Sequence, residues 1–445
     1  MRKILLGCIA DDFTGATDLA NNLVRAGMRV VQTNGVPTQA LASDVDAVVI
    51  ALKTRTIAPT EAIAQSLAAL QWLKQAGIRQ IYFKYCSTFD SWYGADNDTK
   101  RGNIGPVTEA LMDAMGADFT ITTPAFPDNG RTVFKGHLFV GDVLLSESSM
   151  KTHPLTPMRD ANLVTVMQAQ CQRKVGLIDY RTVAAGVEAI QARIADLKAQ
   201  DVGIAIVDAV SNDDLMRLGL AVANLPLITA GSGVAIGLPQ NFGIQNTGTS
   251  ATNAATSSAT RAATLPMAKG WQAVVSGSCS QATNAQVATW QTSGRPHRAL
   301  NLAAVLGGEE LFNSEVQRVL SWAKTLLTTE PVLIYSTAQA DSVKNTQAGL
   351  GSDATGARIE QALSAIAKGL VELGVQQLVV AGGETSGACV LALGVEQMQI
   401  GPQIAPGVPW CYGLSTASGV NIHVTLKSGN FGNTDFFIKA FELLK

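Results

Sequence analysis

The sequence predicts an α/β protein of two domains, each with a mostly parallel sheet flanked by helices, and an active site in the inter-domain cleft. Three observations carry this reading. The chain has 445 residues, more than one core usually spans, since domains run to about 100–200 residues. Short continuous apolar runs alternate with amphipathic segments, the pattern of buried parallel strands with crossover helices. The stretch from Asn246 to Thr264 is almost wholly Thr, Ser, Ala, Asn and Gly, without the large apolar residues that would offset the entropy of ordering. A Ser/Thr/Ala-rich linker is therefore expected over 241–268, between domains at 1–240 and 269–445.

In the N-terminal half, Ile4 to Ala10 reads as the first strand. A helix follows over Asp18 to Ala26, where Leu19, Leu23 and Val24 share a face and Gly27 offers a stop. Asp46 to Leu52 reads as a second strand. Thr60 is expected to cap a helix carrying Ile63, Leu67, Leu70 and Leu73 on one stripe and ending at Gly77. Ile78 to Tyr85 and Asp118 to Thr123 read as the third and fourth strands. In the second half, Trp271 to Ser276, Val332 to Ser336, Gln377 to Ala381 and Asn421 to Leu426 are strand candidates. Ile359, Leu363, Ile366, Leu370 and Leu373 mark an amphipathic helix closed by Gly374.

Composition excludes several function classes. Hydrophobic residues make up 47% and charged residues 15%, a globular balance. With a net charge of −2 and no basic tract, nucleic acid is not a partner, because that affinity rests on many Lys and Arg phosphate contacts. No apolar stretch reaches the roughly 18 residues that span a membrane. Met1-Arg2-Lys3 before Ile4 to Ala10 imitates a signal peptide, but Asp11-Asp12 cuts the apolar run short, and the reading is cytoplasmic. The six cysteines are scattered and read as reduced, mostly buried thiols. The four histidines lack metal spacing and read as structural. The oligomeric state stays open, a homo-oligomer included.

Ligands of open parallel sheets bind beyond the carboxyl ends of the strands. Past strand one lie Asp11-Asp12-Phe13-Thr14-Gly15-Ala16, and past strand two Lys53-Thr54-Arg55. Strand three ends in Lys84-Tyr85-Cys86-Ser87-Thr88, and past strand four come Pro127-Asp128-Asn129-Gly130-Arg131. Carboxylates, cations and hydroxyls thus converge from four places, with Ser87 and Arg131 among the candidate substrate contacts. For any single one, a solvated loop charge is the plain alternative. For Asp11 and Asp12 that alternative is complementing a helix dipole. The functional reading is that one of them accepts a substrate hydroxyl's proton.

In the second half, three strand ends are rich in Gly and Ser: Val275-Ser276-Gly277-Ser278-Cys279-Ser280, Ala381-Gly382-Gly383-Glu384-Thr385-Ser386-Gly387, and Lys427-Ser428-Gly429-Asn430-Phe431-Gly432. Free N–H groups at helix N-termini favour phosphate, and glycines let its oxygens approach. One such turn is usually only a turn; three in one domain point to a polyphosphate cradle. Its candidates are Ser276, Ser278, Gly382, Gly383, Glu384, Thr385, Ser428 and Gly429. No Gly-x-x-x-x-Gly-Lys-Ser/Thr or Gly-x-Gly-x-x-Gly occurs, and no Gly-x-Ser-x-Gly elbow surrounds Ser278 or Ser386.

Ile9-Ala10-Asp11-Asp12-Phe13-Thr14-Gly15-Ala16, together with the 381–387 and 427–432 segments, resembles the four-carbon acid sugar kinases, in order and over essentially the whole chain. The resemblance implies an N-terminal acid-sugar-binding domain and a C-terminal nucleotide-binding domain that phosphorylate the 4-hydroxyl of a four-carbon sugar acid with ATP. Lys84-Tyr85-Cys86-Ser87-Thr88-Phe89-Asp90-Ser91 looks like the branch acting on 3-oxo-tetronates, whereas threonate and erythronate kinases show Asp-Ser-Thr soon after the lysine. Gly102-Asn103-Ile104-Gly105-Pro106 and His153-Pro154-Leu155-Thr156-Pro157-Met158 also look like that family. By resemblance, Asp11, Arg55 and Lys84 contact substrate, while Ser278, the Gly382 to Thr385 turn and Gly429 contact ATP. Arg55 and Lys84 would hold the substrate carboxylate, Asp11 or Asp12 would accept the hydroxyl proton, and Mg²⁺ would bridge the phosphates. Trp92 to Asp98 reads as an insertion before Gly102. The alternatives are a kinase for D-threonate or D-erythronate and, from other classes, a nucleotide-dependent dehydrogenase or a non-catalytic sugar-acid binding protein. The missing dinucleotide fingerprint disfavours the dehydrogenase, and the three phosphate-like turns disfavour the binding protein.

Overall fold

Continuous apolar runs become strands buried on both faces. The computed structural model describes residues 4–41, 45–93, 102–153, 156–244, 262–336 and 352–444. The chain divides into two compact units, Met1–Ala263 and Thr264–Lys445. Residues 245–261 of the expected linker and 94–98 of the apparent insertion lie outside the described residues.

The first unit is built on eight parallel strands. They are β1 (Leu6–Ala10), β2 (Val30–Asn34), β3 (Ala47–Ala51), β4 (Gln80–Lys84) and β5 (Thr120–Thr123), then β9 (Lys174–Ile178), β10 (Val202–Val207) and β11 (Leu227–Ala230). Between β5 and β9 the chain forms a small antiparallel sheet of β6 (Arg131–Phe134), β7 (His137–Val140) and β8 (Val143–Leu144). The main order is β2-β3-β1-β4-β11-β5-β10-β9, parallel throughout. β1, β3, β4 and β5 answer to the four apolar runs.

Two helices differ from expectation. Helix α1 spans Phe13–Arg25, starting five residues before Asp18, with Asp12 as N-cap. Helix α2 (Pro59–Gln75) is entered through Ala58 without a side-chain cap. Thr60 therefore does not cap it; Pro59, whose missing N–H costs nothing in a first turn, opens it instead. Its buried stripe is Ala62, Ser66, Ala69, Leu70 and Leu73, so Ile63 and Leu67 sit at the flank, half-buried.

The second unit carries β12 (Trp271–Ser276), β13 (His297–Ala299), β14 (Val332–Tyr335), β15 (Val375–Ala381), β16 (Gln397–Ala405), β17 (Val408–Ser415) and β18 (Val420–Lys427). β13-β14-β12-β15-β18 are parallel, and β17 and β16 extend the sheet antiparallel. All four strand candidates of this half are present. Helix α3 (Gln281–Thr292) follows β12, α4 (Ser352–Glu372) precedes β15 and α5 (Gly383–Ala392) follows it. Leu363, Ile366 and Leu370 of α4 are fully buried. Val274, Leu333, Val379, Trp290, Trp410 and Phe437 belong to one buried core of this unit.

Candidate active site

The carboxyl ends of β3, β1 and β4 are adjacent, and backbone bonds lace the segments beyond them. Asp11 N–H donates to the Lys84 carbonyl at 3.0 Å, and Thr54 N–H to the Asp11 carbonyl at 3.0 Å. Asp11, Arg55 and Lys84 are brought together by the sheet itself. The Arg55 guanidinium forks onto Asp11, with Nε to Oδ2 at 2.9 Å and Nη2 to Oδ1 at 2.8 Å. Nη2 also donates to Asp12 Oδ1 at 2.7 Å. Such bidentate, charge-assisted bonds fix the carboxylate plane as well as its position. Asp12 accepts from Gly15 N–H at 3.0 Å and from Thr14 Oγ1 at 2.8 Å, so it serves as helix cap as well as site residue.

Lys84 is 2% exposed. Its Nζ lies so close to Gly15 that a Cβ there would sit 2.2 Å from it, which is why the helix carries glycine at that point. Among the described residues Lys84 Nζ has no hydrogen-bond acceptor. Burial pushes the Asp11 carboxyl above its ordinary range, against the pull of Arg55. For Asp12 burial acts the same way, but Arg55, Lys84 and the bonds from Thr14 and Gly15 prevail and hold it below. The two carboxylates are thereby driven apart in acidity.

Sequence reasoning named Arg131 and Ser87 but missed the two acids near them, Asp18 and Asp90. Asp18, inside α1, is buried; its Oδ2 accepts from Ser232 Oγ at 2.6 Å, and its Oδ1 has no partner. Burial raises its carboxyl to about 6 despite Lys84. Arg131 opens β6; it donates to the Asn129 carbonyl and leaves its buried Nε unpaired. Burial pulls its pKa down, while Asp18 and Asp90 act the other way. Ser87 is buried in the turn after β4. In that turn Thr88 Oγ1 donates to Asp90 Oδ1 at 2.6 Å, and Asp90 lies 3.8 Å from Arg55. Phe89, fully buried, holds a left-handed φ of 52°, a conformation a bulky residue keeps only when its surroundings dictate it.

Asp128 belongs elsewhere. It accepts from Asn212 at 2.8 Å and pairs with Arg25 at 3.4 Å, lining a separate depression with Met216, Pro239 and Gln240. The Gly102 to Pro106 motif is architectural: Asn103 Nδ2 donates to the carbonyls of Thr54 at 2.7 Å and Ile57 at 2.9 Å, holding the loop that carries Arg55.

In the second unit the three Gly/Ser turns follow adjacent strands. Gly277 N–H donates to the Ala381 carbonyl at 2.9 Å, and Gly382 N–H to the Lys427 carbonyl at 2.8 Å. A Cβ on Gly429 would lie 2.6 Å from Ser278 Oγ. Gly382 has φ 117°, open to glycine alone. The first intrahelical bond of α5 runs from Ser386 N–H to the Gly382 carbonyl at 2.8 Å. The N–H groups of Gly383, Glu384 and Thr385 therefore have no acceptor within the helix.

The first two of these turns border a pocket of about 310 Å³ that includes Ser278 and Gly382 to Thr385. Its apolar side comes from Leu302, Leu306 and Ile359, with Thr355 and Glu360 beside them. Their segments are remote in sequence, so no local motif marks them. Ser276 is buried at the end of β12, and Ser428 opens the last turn. Among the described residues no group of three His, Cys, Asp or Glu is placed to hold a metal ion, no helix is long and apolar enough to cross a membrane, and all six cysteines are free.

Residues 6–238 match the family model of a sugar-binding N-terminal domain, and residues 273–437 that of a nucleotide-binding C-terminal domain. A 3-oxo-tetronate kinase of Burkholderia multivorans is 54% identical over 440 residues, covering 99% of this chain and 97% of the relative. One of Haemophilus influenzae is 46% identical over 434 residues, covering 97% and 98%. Among solved structures, a Salmonella typhimurium LT2 protein matches with a TM-score of 0.84 and 40% identity, covering 99% of this chain and all of that one. A Haemophilus influenzae protein matches at 0.74 and 45%, with the same coverage. The acidic and cationic strand ends of the first unit and the phosphate-like turns of the second thus fall within matched domains, and this chain belongs to the four-carbon acid sugar kinase family.

Proposed function

We propose that the protein transfers the terminal phosphoryl group of ATP to the 4-hydroxyl of a 3-oxo-tetronate in the cytoplasm. The observation that carries this is the Asp11–Arg55 fork beside Lys84 at the strand ends, with Arg131 of β6 facing the neighbouring Asp18 and Asp90; Lys84 and Arg131 are cations with unused donor capacity. That arrangement suits a small anion bearing a hydroxyl. The choice of acceptor is supported by full-length relatives that are 3-oxo-tetronate kinases.

Lys84 and Arg131 hold the substrate carboxylate, and Ser87 contacts its hydroxyls. Arg55 is committed to Asp11 and Asp12, with Nη1 facing Asp90 at 3.8 Å, so its main role is to fix the Asp11 carboxylate. Asp11 orients the 4-hydroxyl and accepts its proton as the oxygen attacks phosphorus. Asp12, held ionised, keeps α1 in place. On the donor side the amides of Gly383, Glu384 and Thr385, the Gly429 turn and the Ser278 hydroxyl receive the ATP phosphates, and the Leu302–Leu306–Ile359 wall receives the base. Mg²⁺ fits this donor set as an ion carried mainly by the phosphates, with Glu384 as the protein carboxylate, and would neutralise charge on the transferring group.

The test is an ADP-release assay across tetronates. Release with a 3-oxo-tetronate well above that with D-threonate or D-erythronate is expected. The reverse preference would overturn the acceptor assignment, and no release with any sugar acid would overturn the reaction.

A further inference from the structure

The last strand ends on a lysine with an unusual set of neighbours. Lys427 is fully buried. Its Nζ donates to the carbonyls of Ser428 at 2.9 Å, Gly429 at 3.0 Å and Phe431 at 3.1 Å, and to Thr283 Oγ1 at 3.0 Å. Helix α3 takes the same turn from the other side. Ser280 Oγ and Thr283 Oγ1 both donate to the Gly429 carbonyl, the latter at 2.8 Å. Gln286 Nε2 donates to the carbonyls of Phe431, Gly432 and Asn433, each at 3.0 Å. The carbonyls at 428, 429, 431, 432 and 433 are thus all bound; Phe431 N–H donates to the Ser428 carbonyl at 3.2 Å, while the N–H groups of Gly429, Asn430, Gly432 and Asn433 meet no acceptor among the described residues, which suits an anion nest.

The four oxygens around Nζ favour an ammonium, while burial opposes it. A neutral amine would turn its lone pair against a carbonyl oxygen and leave acceptors unpaired. Yet no counter-charge faces it among the described residues. Helix α3 presents Thr283 and Gln286, β15 and β17 present no charged side chain, Glu384 in the first turn of α5 does not act on it, and the Phe436 ring lies 6.0 Å away. Asp435, beyond the turn, is bound to Lys439 at 2.6 Å. His423, on the same strand, is tied to the Pro266 carbonyl at 2.9 Å. A buried cation behind an anion nest lacks only the anion.

We propose that Lys427 is a positioning residue for the nucleotide phosphates, organising the 428–433 turn from beneath and taking up a proton when the phosphates bind. The inference rests on reading this unit as the nucleotide domain. It goes further in assigning the work to a side chain that never touches the ligand. Burial lowers the Lys427 pKa to about 7, so above that pH much of the free protein carries the neutral amine. A phosphate across the turn favours the ammonium, and binding and protonation become linked.

The experiment is titration calorimetry of the full-length protein with ADP at pH 8.5 in two buffers of different ionisation enthalpy. At that pH the phosphates, with a second pKa near 6, are themselves fully ionised. Expected are proton uptake approaching one per ADP, affinity that falls as pH rises above 7, and no proton linkage for adenosine. In Lys427→Gln, which keeps a donor but not the charge, ADP affinity should fall about 10- to 100-fold, with uptake abolished and adenosine binding unchanged. ADP binding without proton uptake in the wild type would overturn this inference alone. A wild-type protein that binds no ADP would overturn the nucleotide reading as well. Should Lys427→Gln fail to fold, the wild-type proton count decides.

Discussion

Arg55 commits Nε and one Nη to Asp11 and shares that Nη with Asp12, so replacing it leaves two buried carboxylates facing Lys84 alone. Removing one partner of a buried ion pair costs about 3–5 kcal/mol. Arg55→Met should therefore lose a large part of that in thermal or urea denaturation, besides losing turnover. Asp11→Asn should lower turnover by about 10²–10⁴-fold, the usual contribution of a general base, with ADP affinity intact in calorimetry. Asp12→Asn should lose less, since asparagine caps a helix as well as aspartate does. Near-equal losses would make the base assignment fail. Asp18 acts on stability in the opposite sense. Its folded pKa of about 6 lies above the ordinary 3.8, so the native state binds the extra proton between those values. Stability is favoured below about 4 and lost as pH rises through 6. The charged form costs at most about 3 kcal/mol above that window. Asp18→Asn should accordingly raise the melting temperature at pH 8 by about 5 °C and leave it little changed at pH 4.

Elements were legible where burial is uniform and obscure where polar groups are buried with partners. β1, β3, β4 and β5 are continuous apolar runs and announce themselves. β2 contains Gln32 and Thr33, both buried; Gln32 bonds Asn34 at 3.1 Å and Thr33 the Gly35 carbonyl at 3.0 Å, and no periodicity foretells such bonds. The same cause displaced the start of α1. Thr14, Thr17, Asn21 and Asn22 are all buried in it, and Asn22 donates to the Ser232 carbonyl at 2.9 Å, so the helix is covered all round. Its amphipathic signature survives only at Leu19, Leu23 and Val24. The site divides likewise. Asp11, Arg55 and Lys84 follow from the strand-end rule, because adjacent parallel strands bring their carboxyl ends together. Asp18, Ser232 and the wall at Leu302 and Ile359 depend on which helix face turns inward. Gly382 is an element-scale case that can be tested. With φ 117°, and a Cβ that would lie 3.0 Å from Thr385 Oγ1 and 3.2 Å from Ser278 N, Gly382→Ala should incur about 1–3 kcal/mol of strain. Calorimetry should show ADP binding weakened by about 10-fold, while sugar-acid binding is untouched.

Across the whole molecule, the proposed acceptor and donor residues fall in different compact units. Single-ligand binding should then be separable even though turnover needs both ligands. Lys84→Met removes the buried ammonium beside Asp11 and should weaken sugar-acid binding by about 10- to 100-fold, the worth of a charged hydrogen bond. Its ADP affinity should stay within about twofold of wild type, since effects without shared partners add to within about 0.5 kcal/mol. Combining it with Gly382→Ala makes the expectation sharper. The double variant should bind ADP as Gly382→Ala does and sugar acid as Lys84→Met does, each measured with the other ligand absent. Turnover, by contrast, should fall by at least the product of the two losses, because phosphoryl transfer depends on positioning both reactants at once. If Lys84→Met alone weakened ADP binding several-fold, the two sites would already be coupled in the free protein, and treating the units as independent binding modules would have to be abandoned.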